Sequence, residues 1–365
     1  MTIKGEDAWR NAAGRSNSRW FDDIERFNHA PSRVAHEAKF SIGRTDRFFC
    51  LGSCFARNIE EYLIYNDIDV LSKQILSPKN EYSDTVRANA LVNKFTTASI
   101  LNEIRWISDT PEMTARFFLE TAKGWIDPQL GPGQLPVSLE RAIQRRTYLM
   151  ADYFPRIARA DVIVMTLGLN EVWKDDAQDL YLNIAPGFAA TRREAARYVL
   201  EETDVAENIN ALEEICGMIW RLNASARIVV TVSPVPMQET FSGRDVLIAN
   251  TASKSTLRAA AESIARRHQA VDYFPSFEMV TAGPRAFAYM EDCLHVNDAV
   301  VGAVVQAFLR SYLGEDGRAP LFTDRAYLRA NPDVELAVRA GQFASGYEHW
   351  IIYGRAEGRT VTFDG

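Results

Sequence analysis

Residues 47–63 read RFFCLGSCFARNIEEYL. A short apolar run leads to a glycine, then to two small side chains able to act as nucleophiles, then to apolar residues at helical spacing. That is a strand turning directly into a helix, the repeating step of an α/β fold. Gly52 permits the tight exit from the strand. Ser53 fits the helix N-cap, where its hydroxyl would accept a first-turn N–H. Cys54 would then sit in the first turn, where the dipole and the free N–H groups favour a thiolate. Of the two, Cys54 is the better nucleophile candidate, and its own N–H can help to hold an oxyanion. The plain alternative is a capping serine in front of a small buried cysteine.

Working outward, three more strands can be read. DIDVLS (67–72) is short, whereas ADVIVMTLG (160–168) and ARIVVTVSPVP (226–236) are continuous apolar runs, the mark of strands buried on both faces of a parallel sheet. Helical spacing appears in CFARNIEEYLIY (54–65), VAENINALEEICGMIWRLN (205–223), TLRAAAESIARRH (256–268) and VVGAVVQAFLRSYL (300–313). Alternating strands and helices predict an α/β domain around a parallel sheet, over residues 46–314. Residues 1–45 read as a lead-in packed on it, GEDGRAP (314–320) as a linker, and 321–365 as a small helical module punctuated by glycines.

Composition narrows the function classes. With 41 Lys and Arg against 48 Asp and Glu, the net charge of −7 argues against general nucleic-acid binding. No apolar run approaches the roughly 20 residues of a membrane span, and the polar N-terminus has no signal-peptide core; a cytoplasmic protein is expected. Four scattered cysteines suit no disulfide framework, and no CxxC pair or HExxH helix suggests a metal site. No P-loop or GxGxxG is present.

Four clusters fall at strand ends, where ligands bind in such sheets. The first is Gly52-Ser53-Cys54. The second is Gly168-Leu169-Asn170, whose Asn side chain can donate to a developing oxyanion or simply cap the next segment; Glu171 follows as a substrate-contact candidate. The third is Asp292-Cys293-Leu294-His295, in which His295 is a natural general base and Asp292 can orient its ring; Cys293 reads as structural. Of the other histidines, His268 reads as solvated and His349 belongs to the terminal module. The fourth is Ser233-Pro234-Val235-Pro236, a rigid strand exit, followed by Lys254 and Arg258 at a helix start, suited either to an anionic substrate group or to a solvated face.

The blocks LGSCFA (51–56), VMTLGLNEVW (164–173), VVTVSPVP (229–236) and HVN (295–297) resemble the GSCFA domain family, which is in turn similar to the SGNH/GDSL hydrolases. The resemblance covers roughly residues 40–312. It implies a three-layer α/β/α sandwich with a flavodoxin-like parallel sheet, and ester hydrolysis or O-acyl transfer, often on carbohydrate. It puts Cys54 at the position of the nucleophilic serine, Ser53 at that of the block's aspartate, Asn170 at the oxyanion asparagine, and Asp292 and His295 at the Asp-x-x-His pair. The superfamily's oxyanion glycine has no counterpart, because no Gly occurs from residue 55 to 123; Asn80, or a backbone N–H near it, is the expected substitute. The terminal module looks like a short repeat appended to diverse bacterial enzymes, suited to a protein partner.

These readings converge on an acyl-ester hydrolase or acyltransferase that takes a small-molecule or glycan substrate and needs no cofactor, with coenzyme A as a conceivable acyl donor. The contrasting classes are a non-catalytic glycan-binding protein and a redox sensor built on Cys54.

Overall fold

The computed structural model describes residues 2–13, 16–20, 22–83, 86–313, 324–343, 346–354 and 357–360. The expected linker at 314–320 lies outside the described residues. The strands are β1 (Phe48–Gly52), β2 (Leu119–Thr121), β3 (Gly124–Ile126), β4 (Val162–Leu167), β5 (Glu171–Asp175), β6 (Leu180–Leu182), β7 (Tyr198–Glu202), β8 (Arg227–Val232) and β9 (Val271–Tyr273). The helices are α1 (Gly5–Ala13), α2 (Cys54–Tyr65), α3 (Thr97–Ser108), α4 (Leu139–Tyr148), α5 (Phe188–Arg193), α6 (Val205–Leu222), α7 (Val246–Arg267), α8 (Ser276–Thr281), α9 (Arg285–Ala288), α10 (Asp298–Leu313), α11 (Asp324–Ala330), α12 (Pro332–Arg339) and α13 (Gly346–His349).

The central sheet has the order β1-β4-β8-β9, every pair parallel. Its strands β1, β4 and β8 are predominantly apolar because both faces are covered. Alternate residues point to opposite sides: Phe49, Leu51, Ile163 and Met165 join one core with Ile104 of α3, Leu212 of α6 and Leu257 of α7. Phe48, Cys50, Val162 and Val164 join a second core with Phe55 of α2 and Val301 and Phe308 of α10. Helices on both faces of a parallel sheet agree with a three-layer α/β/α arrangement. Each buried Val, Leu or Phe contributes about 1.5–3 kcal/mol, so these two cores hold the sheet.

DIDVLS does not form a strand. It makes a single parallel bridge, Val70 to Phe48, through Phe48 N–H to Asp69 O (2.8 Å) and Leu71 N–H to Phe48 O (2.8 Å). The bridge lies on the free edge of β1, so the chain steps from β1 to one side and then crosses to β4 on the other. The order reverses between β1 and β4, and a crevice opens beyond their carboxyl ends.

Two features were not legible. β5, β6 and β7 form an antiparallel sheet, order β6-β5-β7, from a segment too polar and too short-stranded to signal itself. β9, three residues long, closes the central sheet. Near the C-terminus, α11, α12 and α13 gather around Tyr327 and Val334, and Tyr65 of α2 packs against that cluster.

Candidate active site

The crevice beyond β1, β4 and β8 holds a cavity of about 780 Å³. Of the residues expected at the site, Ser53, Cys54, Gly168, Glu171, Ser233, Lys254 and His295 line it. Gly52, Asn80, Asn170 and Asp292 do not.

Gly52 sets the geometry of the first wall. Its φ is +120°, and a Cβ there would lie 2.2 Å from the Thr166 carbonyl oxygen and 2.4 Å from the Thr166 hydroxyl. Only glycine lets β1 pass β4 this closely. It is a structural rather than a substrate-contacting residue. Ser53 then takes the N-cap position with extended backbone, but its hydroxyl makes no cap bond. Its N–H donates to Thr166 Oγ1 (2.9 Å), and the two hydroxyls stand 3.3 Å apart. The expected capping hydroxyl is thus turned back to the sheet, because Thr166 offers a buried partner beside it.

Cys54 is the first residue of α2 and half-buried. Its thiol is pushed up, not down: burial outweighs Lys254, the N–H groups of Phe55 and Cys54, and Arg57, all of which favour the thiolate. The resting thiolate expected from the helix N-terminus is therefore corrected to a thiol with thiolate-stabilising groups around it.

The second wall is the segment Asn93–Thr96. Lys94 N–H donates to Gly52 O (2.8 Å) and Leu169 N–H to Phe95 O (2.7 Å), so this segment lies against both glycine turns. A Cβ on Gly168 would meet Phe95 O at 2.8 Å. Asn183 straps the segment, its Nδ2 donating to Asn93 O (2.8 Å) and its Oδ1 accepting from Phe95 N–H (3.0 Å). Behind it, the buried Lys94 ammonium bonds Glu103, whose carboxylate also takes Arg146 Nη1 (2.8 Å to each oxygen), while Arg146 Nε donates to Asp127 (2.7 Å). Asn93 faces the cavity, is 4 % exposed, and its buried Oδ1 has no hydrogen-bond partner. Sequence reasoning missed Asn93 and Asn183; the only signal was two asparagines in apolar surroundings.

Asn170 is corrected. Its Nδ2 donates to Thr203 O (3.1 Å) and its N–H to Ser253 Oγ (3.0 Å), which ties the β4 exit to the β7 end and to α7. Asn80 is exposed, in the turn Lys79–Glu81. Glu171 lines the cavity and accepts from the Thr240 hydroxyl and from Phe241 N–H (3.0 Å), so it orders the 240–241 loop beside it. Ser233 is buried at the β8 end, its hydroxyl accepting from Val235 N–H (3.3 Å).

Lys254 does not stand at a helix start, since α7 begins eight residues earlier at Val246. It is 2 % exposed, and its Nζ donates to Gly168 O (2.7 Å). Burial lowers its pKa to about 7, with the Cys54 charge the sole opposing influence. Arg258 is committed to Glu278 (2.6 Å) and Glu262 (2.9 Å), so it is no anion site.

His295 comes from the turn before α10. Asp292 Oδ1 accepts the N–H groups of Leu294 and His295 (2.9 Å each), and Asp292 Oδ2 lies 2.6 Å from His295 Nδ1. His295 holds the Asp292 carboxyl down at about 2, helped by those two N–H groups. Cys293, at φ +54°, closes the turn. The His295 side chain is 59 % exposed and borders the cavity, but no hydrogen bond joins it to Cys54. The expected direct thiol–imidazole hydrogen bond is not formed, although both side chains line the one cavity. His268 is half-buried, bonded to Glu213 (2.7 Å) and against Trp220, not solvated. His349 is buried on the Tyr327 hydroxyl (2.9 Å).

Among the described residues, no group of three His, Cys, Asp or Glu is placed to hold a metal, and no helix is long and apolar enough to cross a membrane. No curated protein matches the chain. The model of the GSCFA family matches residues 47–308, the span that carries the sheet, the glycine turns and both cavity walls, and the chain belongs to that family.

Proposed function

We propose that the protein is an SGNH-like acyl-transfer enzyme with a flavodoxin-like sheet, working through a cysteine thioester. The observation that carries this reading is the placement of Cys54. It is half-buried at the first position of a 12-residue helix, at the carboxyl edge of the sheet, on a cavity that is also lined by His295, whose ring is held by Asp292. Thiol, N-terminal amides and imidazole around one cavity are the parts that acyl transfer uses.

In the proposed reaction, the Cys54 thiolate attacks the acyl carbonyl and a C–S bond forms. The Cys54 and Phe55 N–H groups and the Asn93 carboxamide, taking the place first expected of Asn170, stabilise the oxyanion. The bond to the leaving oxygen or sulfur breaks, and that atom takes a proton from His295. Water or an alcohol then loses its proton to His295 and attacks the thioester, the C–S bond breaks, and the sulfur leaves as the thiolate that began the cycle. Coenzyme A thioesters are the proposed donors and a carbohydrate hydroxyl the proposed acceptor. The helices α11–α13, none of whose described residues lines the cavity, are proposed to contact a protein partner.

The test is intact-mass spectrometry after incubation with acyl-coenzyme A and aryl esters. An acyl adduct on the wild type, absent in Cys54→Ala, supports the reading; no adduct with any donor overturns it. One observation favours a second reading: Cys54 and His295 share a cavity without touching, as a non-catalytic glycan-binding cleft would permit. Isothermal titration with oligosaccharides, alongside a blank adduct assay, would establish that class.

A further inference from the structure

Among the described residues, the buried cations are Arg57, Lys94, Arg145, Arg146 and Lys254. Arg57 is paired with Glu60 (2.7 Å), Lys94 with Glu103, Arg145 with Glu81 (3.4 Å) and Arg146 with Glu103 and Asp127 (2.8 and 2.7 Å). Lys254 has no carboxylate. Its polar contact is a carbonyl, Gly168 O, and it borders the same cavity as Cys54. A buried ammonium without a counter-charge is unfavourable enough to be held as the neutral amine. A neutral amine carries a lone pair and is a base.

We propose that Lys254 is the proton acceptor of Cys54, and that His295 serves the leaving and incoming oxygens. The proposal rests on Cys54 as nucleophile. The S–H bond breaks, its proton passes through one bridging water to Nζ, and the electron pair stays on sulfur. Thiolate and ammonium then form the ion pair that both groups lack at rest. The N–H groups of Cys54 and Phe55 hold the sulfur side, and Gly168 O holds the nitrogen side.

The other ionisable groups around the cavity are already engaged. Arg57 is paired with Glu60, Arg87 with Glu61, Glu171 with Thr240 and Phe241, and His295 with Asp292. Glu239 also borders the cavity, and no ion pair joins a carboxylate to Lys254 among the described residues. The depression of Lys254 to about 7 places its titration where a base of this kind works.

The experiment is the pH profile of Cys54 alkylation by iodoacetamide, read by peptide mass spectrometry, in wild type, Lys254→Met and His295→Ala. Lys254→Met is expected to slow alkylation at pH 7 about tenfold or more and to move the profile to higher pH. His295→Ala is expected to stay within about twofold. A Lys254→Met profile that overlays the wild type, or a tenfold loss in His295→Ala instead, overturns the proposal. Iodoacetamide needs no acyl chemistry. An acyl adduct with a Lys254-independent thiol therefore removes this proposal alone, and a Lys254-dependent thiol with no adduct removes the acyl-transfer reading alone.

Discussion

Replacing Lys254 with methionine should make the protein more stable at pH 7. The folded pKa, about 7, lies below the ordinary 10.5 of the unfolded chain. Between those values the unfolded state binds more protons, so wild-type stability rises with pH through that window. The difference, 10.5 minus 7, at about 1.36 kcal/mol per unit, sets a destabilisation near pH 7 on the order of 5 kcal/mol. Against it stands the Gly168 carbonyl, which loses its partner at about 1–3 kcal/mol. The net gain is about 2–4 kcal/mol. With an unfolding entropy of about 2.1 cal/mol/K per residue, a chain of 365 residues responds by roughly 3–5 °C. Calorimetry at pH 7 and pH 10 measures it. The gain should vanish or reverse at pH 10, where the folded amine is neutral and the unfolded one is within half a unit of its ordinary 10.5, so that less than about 1 kcal/mol of the penalty is left. A variant that melts lower at pH 7, or a gap that ignores pH, would refute the reasoning.

Three further outcomes are expected. Gly52→Ala combines backbone strain of about 1–3 kcal/mol with the 2.2 Å approach to Thr166 O, and should lower Tm by at least about 4 °C; Gly187→Ala, with φ +84° but nothing within 4 Å, should lose only the strain part, and equal losses in calorimetry would deny the close approach. Asn93→Ala should slow acyl transfer about 100-fold or more, the usual cost of one oxyanion donor, while leaving iodoacetamide alkylation of Cys54 unchanged; a parallel loss of both would mean that Asn93 shapes the wall instead. Asp292→Ala should speed hydrogen exchange at the Leu294 and His295 amides about tenfold or more, as befits two lost hydrogen bonds. In the wild type that protection should be complete above the ordinary carboxylate range and disappear as pH falls through about 2; protection that persists at lower pH would contradict the role of the carboxylate.

The strands that were legible are those with a single physical cause. β1, β4 and β8 are buried on both faces, so burial alone writes a continuous apolar run and their limits fall within a few residues of the reading. β9 and the β5–β7 sheet are stabilised by neighbours the sequence does not reveal, and their alternating charged residues resemble loop. At the site, Cys54 and the Asp292–His295 turn were legible because local chemistry fixes them: a glycine exit, a helix start, an Asx turn. The placements of Asn170 and Asn93 were not legible, because each depends on what the side chain meets across the fold. One is spent on Thr203; the other, 77 residues earlier, is brought beside Gly52 by Lys94. The state of Lys254 was invisible because burial, not residue type, decides it.

The turn that carries His295 has a consequence for how such a protein can diverge. Asp292 fixes both amides and the imidazole within four residues, and the turn leans on the body of the protein through Arg285, whose guanidinium donates to Cys293 O (2.6 Å), and a Tyr289–Val296 bridge. It is a self-contained cassette. The thiol side is the reverse: Gly52 and Gly168 lie so close to neighbouring backbone that no side chain can be added. Exchange or lengthening of the 290–297 loop would thus reshape the rim of the cavity at His295 at little structural cost, while the rim at Cys54 stays fixed. Relatives should vary on one rim of the cavity and stay uniform on the other.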